Sequence, residues 1–138
     1  MTEVPERVKE ALRLRTPAGV CEGCGMTGSP LDPHHRQPRG MGGVHGAARD
    51  LSDDPVNFLA LCRWPCHAFT EHEPEAARRL GWVVPHPVDV SRVPAKLWTP
   101  QGYGWWRFRY LDDGGPHVAE SLDEPDALRI IAQLYGQG

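Results

Sequence analysis

Apolar residues recur along the chain in short groups, and the spacing within each group predicts an element. Val4, Val8, Ala11 and Leu12 follow i, i+4, i+7, i+8 spacing, while Arg7, Lys9, Arg13 and Arg15 lie mostly off that face. With Pro5 suited to the first helical position, this predicts an amphipathic helix over residues 5–15, ended by Thr16-Pro17-Ala18-Gly19. A packing helix with a solvated basic side is the preferred reading over a DNA-contacting helix. Leu31 to Arg36 reads as a short strand, whose alternating side chains send adjacent His34 and His35 in different directions. Gln37 to Ala48 contains Gly40, Gly42, Gly43 and Gly46 and reads as a loop able to turn a hairpin. Asp53-Asp54-Pro55 reads as a cap and first helical position, and Val56–Leu61 as a short helical turn or strand carrying Asn57. Pro65 can start a second helix bearing Cys66, His67 and His72. Pro74 interrupts it, and it can restart through Leu80 with Gly81 on its C-terminal side.

The pattern changes at Trp82. Trp82-Val83-Val84 is apolar and extended, and Pro85 to Pro94 is a proline-punctuated linker. Lys96–Thr99 and Trp105–Leu111 look like two strands joined through Gly102 and Gly104, with a third strand at His117–Glu120. Ser121 with Glu124 three residues on reads as a capping box for a last helix, with an apolar stripe of Leu128, Ile131, Ala132 and Tyr135. Within Trp105–Tyr110 one face carries Trp105, Arg107 and Arg109, the other Trp106, Phe108 and Tyr110. A sheet packed by the last helix is preferred over a nucleic-acid grip. The expected fold class is a small α+β protein, divided into residues 1–84 and a C-terminal sheet-plus-helix extension at 85–138.

Composition adds three constraints. At 138 residues, with 15 Gly and 14 Pro, the chain suits a loop-rich domain of short elements, in which a bound metal can supply stability the core lacks. No apolar run approaches the roughly 18 residues of a membrane span. The N-terminus has no apolar signal-like run, so the cytosol is the expected compartment, where thiols stay reduced and cysteines more often mean metal than disulfide. The net charge of −3 does not advertise a nucleic-acid binder, but its distribution is uneven. From Pro33 to Arg49 there is no acid, while Arg36, Arg39, Arg49 and three histidines sit there.

All four cysteines and five of the seven histidines fall between Cys21 and His72. Cys21-x2-Cys24 and Cys62-x3-Cys66 are two close pairs with ligand spacing, as a tetrahedral four-thiolate zinc site requires; free or redox cysteines are the weaker reading. Glycines after each cysteine of the first pair let the backbone turn both sulfurs toward one ion. His67 follows a zinc-pinned cysteine, and His34 and His35 lie on the opposite arm of the loop that zinc would close. Such a trio is better explained by a second metal or a catalytic base than by three surface residues. His72, off the i+4 position from His67, is preferred as a surface histidine over a third ligand.

The run Cys21-x2-Cys24, His34-His35-Arg36-x-Pro38-Arg39-Gly40-Met41-Gly42-Gly43, Asn57-x3-Leu61-Cys62, Cys66-His67 resembles the HNH endonucleases, and more narrowly the small zinc-binding HNH proteins of actinobacterial tailed phages. The resemblance covers residues 20–84, and the second cysteine pair departs from it by one extra residue. It implies a ββα-metal finger: a hairpin packed on a helix with a divalent ion between them. It further implies His35 as general base, His34 and His67 as ligands of the catalytic ion, and Asn57 as the brace of the hairpin loop. The four cysteines would be the structural zinc site. Mg2+, Mn2+, Ni2+ and Zn2+ all remain open for the catalytic ion. Arg36 and Arg39 are candidate phosphate contacts. The expected function is hydrolysis of phosphodiester bonds in DNA, most readily double-stranded. A link to phage DNA packaging would make terminase a partner and the host cytoplasm the location. The alternative is a non-catalytic, zinc-stabilised module binding DNA or terminase.

Overall fold

The computed structural model describes residues 4–38, 53–110 and 117–136. Helix α1 (Glu6–Arg15) is followed by the cysteine-bearing turn and strand β1 (Leu31–His35). A 3-10 turn at Pro55–Asn57 leads into β2 (Phe58–Cys62), which pairs antiparallel with β1 from Leu31↔Cys62 to His35↔Phe58. A wide helical turn over Arg63–His67, with Trp64 extended, runs into α2 (Ala68–His72) and α3 (Pro74–Arg79). The remainder is an antiparallel sheet of β3 (Ala95–Thr99), β4 (Gly102–Tyr110) and β5 (His117–Leu122), in that order, and helix α4 (Glu124–Gly136). This is a mixed α+β architecture of four helices and two small sheets among the described residues.

Strand β2 explains why Phe58-Leu59-Ala60-Leu61-Cys62 is apolar at every position. Both its faces are buried: Phe58 and Ala60 pack with Val8 and Leu12 of α1, and Leu59 and Leu61 enter the larger core. Burial of each large side chain contributes about 1.5–3 kcal/mol. The larger core also takes Trp82, Val84, Val90, Leu97, Trp105 and Ile131, so residues on both sides of position 84 share it. The 1–84 and 85–138 segments are therefore packed together.

Two arginines, partly buried Arg15 and fully buried Arg36, secure the start of β2. Arg15 donates to the carbonyls of Pro55 (3.0 Å) and Phe58 (2.7 Å) and makes a two-point ion pair with buried Glu22 (2.6 and 3.1 Å). Glu22 in turn accepts from the Ala60 N–H at 2.8 Å. From the other side, Arg36 donates to the carbonyls of Val56 (3.2 Å), Gly81 (2.9 Å) and Val93 (2.7 Å). Turn carbonyls that no ladder uses are satisfied in this way, as buried backbone groups must be.

Two expectations are corrected. Ser121 pairs with Trp106 inside β5 and so cannot cap α4. The buried stripe of α4 is Ala127, Ile131 and Leu134, with Leu128 47% exposed, because the sheet lies one position round the helix from the anticipated face. Gly81 does end the helical segment, with φ +74, and a Cβ there would stand 2.0 Å from the Pro94 carbonyl oxygen. Backbone cannot yield as a side-chain tip can. Gly81→Ala should therefore lower the unfolding free energy by at least about 2 kcal/mol in urea titrations. A loss under about 0.5 kcal/mol would show that the approach is not rigid.

Candidate metal centre and adjoining histidines

The four cysteine sulfurs all lie within 4.8 Å of one another and form a cluster that can hold a metal ion. Four sulfurs at ~2.3 Å from a tetrahedral zinc stand ~3.8 Å apart. The Cys24 and Cys62 sulfurs are 3.8 Å apart, so the set is compatible with zinc. The x3 spacing of the second pair is absorbed by the wide turn at Arg63–His67, where extended Trp64 takes up the extra residue. Gly23 allows the closure, since a Cβ there would come within 2.9 Å of the Cys66 sulfur and 2.8 Å of the Trp82 ring.

One sulfur, that of Cys21, is supported as an anion, while burial pushes the Cys62 thiol up and the Cys21 sulfur, together with burial, pushes the Cys66 thiol up. The Cys21 thiol is pushed down to about 4, chiefly because the Cys66 thiol donates to it, helped by the Cys62 N–H and opposed by burial. Backbone N–H groups of Cys62 (3.2 Å) and Gly23 (3.3 Å) point at that sulfur. A thiolate is what zinc binds, and N–H donors to it are the usual outer support of such a centre.

The histidines are sorted by the pleat of β1. Asp32 and His34 share one face, while Leu31, Pro33 and His35 share the other. On the first face the rings of His34 and His67 stand 5.5 Å apart, centre to centre. His34 is largely buried, and its Nε2 lies 2.8 Å from the Trp82 carbonyl oxygen. A carbonyl can only accept, so Nε2 carries the proton and Nδ1 holds the lone pair. Burial pulls the His34 pKa down to about 4 against the pull of that carbonyl, which leaves the ring neutral at pH 7. His67 Nδ1 lies 3.0 Å from an Asp32 carboxylate oxygen. Arg63 also grips Asp32, at 3.1 and 3.3 Å, and Arg63 first and His67 second hold its carboxyl below the usual range. Two imidazoles bound to one ion at ~2.1 Å stand with ring centres ~4.5–5.5 Å apart, so the observed spacing suits a shared ion.

His35, on the other face, packs its ring 4.3 Å from that of Phe58, centre to centre. Asn57 is buried, and its side chain embraces Gln37: Oδ1 accepts from the Gln37 N–H and Nδ2 donates to the Gln37 carbonyl, both at 2.9 Å. It therefore ties the chain leaving β1 to the turn entering β2. Arg36 overturns the expectation of a phosphate contact. It is 1% exposed and its guanidinium is spent on three backbone carbonyls, so no substrate can reach it. Arg39 lies outside the described residues. His72 is exposed on α2.

Sequence reasoning missed Asp32 as the partner of His67. The period-2 rule placed it beside His34 and could have drawn notice to it. The Trp82 carbonyl, 48 residues from His34, left no local signal.

Among the described residues the cysteines are the one group of three or more metal-ligating side chains close enough to share an ion, and no helix there is long and apolar enough to cross a membrane. Compared with known proteins, the chain matches no family model, no curated protein and no solved structure.

Proposed function

We propose that the protein is a metal-dependent HNH-type endonuclease that hydrolyses phosphodiester bonds in DNA, on a ββα-metal finger whose cysteines hold a structural zinc. The single observation that carries the reading is the His34–His67 pair. The two imidazoles stand 5.5 Å apart, centre to centre, in an edge-on arrangement, and each has one nitrogen tied to an oxygen acceptor. Imidazoles committed to packing alone have no need of that arrangement.

In this reading His34 through Nδ1 and His67 through Nε2 would hold a divalent ion. When bound, such an ion supplies positive charge to the phosphate as negative charge builds there. His35 is the general base and removes a proton from water, whose oxygen forms the new bond to phosphorus. The leaving sugar oxygen departs as the old P–O bond breaks and takes a proton from solvent. Phe58 supports one face of the His35 ring, and Asn57 holds the adjoining chain so that His35 keeps its direction. Arg39 is retained as a phosphate contact, and double-stranded DNA as the substrate.

The test is nicking of supercoiled plasmid by zinc-replete protein with added Mg2+, Mn2+ or Ni2+. His35→Ala should lower the rate at least about 100-fold, the usual size of a lost general base, with zinc content and melting temperature unchanged. Undiminished nicking by a clean preparation of that variant refutes the assignment.

A second reading is a non-catalytic zinc module that binds DNA or a terminase. It is favoured by the cysteines being the one close set of three or more metal-ligating side chains among the described residues. Retention of plasmid without cleavage under every ion would select it.

A further inference from the structure

We infer that Asp32 is a positioning residue that locks His67 in the Nδ1–H tautomer, so that Nε2 is the nitrogen offered to a second divalent ion. The inference rests on the nuclease reading for its purpose, though not for its geometry. The Asp32 carboxylate lies 3.0 Å from His67 Nδ1. An ionised carboxylate accepts only, so the nitrogen facing it must carry the hydrogen. The carboxylate is itself held against rotation. Arg63 donates from Nη2 to one oxygen and from Nε to the other, at 3.1 and 3.3 Å. Asp32 has only 20% of its side chain exposed, so this clamp sits at the rim of the site rather than in open solvent.

The position on β1 gives the arrangement its meaning. Asp32 and His34 are two residues apart on one face, and His67 approaches that face from the turn after β2. The two rings, 5.5 Å apart centre to centre, are thus fixed by different means: His34 by a backbone carbonyl at Nε2, and His67 by a carboxylate at Nδ1. A carboxylate behind an imidazole also raises the electron density on its far nitrogen and so its strength as a ligand. Arg63, 69% exposed, keeps its own charge in water while it grips the carboxylate.

The experiment has two arms on protein replete in structural zinc. Nitrogen-15 NMR at pH 8 reads the tautomer of His67. The parent should show the proton on Nδ1, and Asp32→Ala should move a substantial fraction to Nε2. A parent with the proton on Nε2, or a variant with no change, overturns the inference. Titration with Mn2+, followed by calorimetry, reads the purpose. Asp32→Ala should weaken binding about 10–100-fold while zinc stoichiometry is unchanged, as loss of an outer-shell partner does. Equal Mn2+ affinity in parent and variant also overturns it. If the parent takes up none of Mn2+, Mg2+, Ni2+ and a second Zn2+, the nuclease reading falls, and the tautomer lock stands or falls on the NMR result alone. Asp32→Val, a better strand former without an acceptor, repeats both arms where the alanine variant is too unstable.

Discussion

Serine in place of Cys66 is expected to cost the protein its zinc and, with it, most of its folded structure. A structural four-thiolate zinc contributes on the order of 10–16 kcal/mol of apparent binding free energy, against a net stability of about 5–15 kcal/mol for an ordinary domain. Here the cluster joins three parts of the chain. Cys21 and Cys24 come from the turn before β1, Cys62 from the end of β2, and Cys66 from the turn before α2. Cys21 and Cys66 also belong to the larger core with Leu61 and Trp82, so an ion bound there and the apolar packing would support each other. A serine hydroxyl at Cys66 is a far poorer ligand than a thiolate and leaves the other three sulfurs crowded without a counter-charge. Zinc per chain should fall well below one, and the cooperative melt seen by circular dichroism should vanish or move down by tens of degrees. A chelator strong enough to strip the parent should reproduce that state. A Cys66→Ser protein that melts within a few degrees of the parent would show that the cluster does not bear the fold.

Arg36→Ala is expected to destabilise the protein by about 4 kcal/mol, the cost of leaving buried carbonyls without donors. Burial pulls the Arg36 pKa to about 10, so the side chain stays charged at neutral pH, and keeping it charged in that place costs about 3 kcal/mol. The three carbonyls of Val56, Gly81 and Val93 offset that cost through charge-assisted hydrogen bonds, each worth about 1.5–3 kcal/mol. Removal of the guanidinium strands all three acceptors and opens a cavity where a long side chain had been. Arg36→Lys should recover only part of the loss, because one ammonium cannot reproduce a planar fork aimed at three separate points. Urea midpoints at fixed zinc occupancy measure both variants. If Arg36→Ala costs under about 1 kcal/mol, the staple is ornamental; if it weakens DNA binding without changing stability, the discarded phosphate role returns.

Much of the site was legible in the chain itself. Ligand spacing is a local property, because two thiolates two or three residues apart can turn to one ion wherever the segment lies, and the four cysteines do cluster. The period of two in Leu31–His35 was equally local, and it separates His34 from His35 as expected. Asp54 followed by Pro55 also read correctly as a turn entry, with the Asp54 side chain accepting from the Val56 N–H at 3.0 Å. The failures have a common cause. Ser121 matches a capping box only if the helix begins there, and hydrogen bonding to β4 extends the strand through it instead. The stripe on α4 was chosen from apolar identity, whereas the residues it buries, Ala127, Ile131 and Leu134, are those turned to the core shared with the sheet.

Arg36 is the plainest case of what only the tertiary structure could decide. In sequence it follows two histidines and precedes a glycine-rich basic stretch, which is how a phosphate contact looks. Its actual partners lie 20, 45 and 57 residues away, and they are backbone oxygens, which carry no residue-specific signature. The same holds for the Trp82 carbonyl behind His34. Residue type and spacing determined the chemistry the chain can perform: a thiolate cluster, imidazoles sorted by a strand, and turns cut by Pro and Gly. The folded state decided which charged groups face water and which nitrogens of His34 and His67 meet an oxygen acceptor, because burial and hydrogen-bond direction depend on neighbours that only folding brings together.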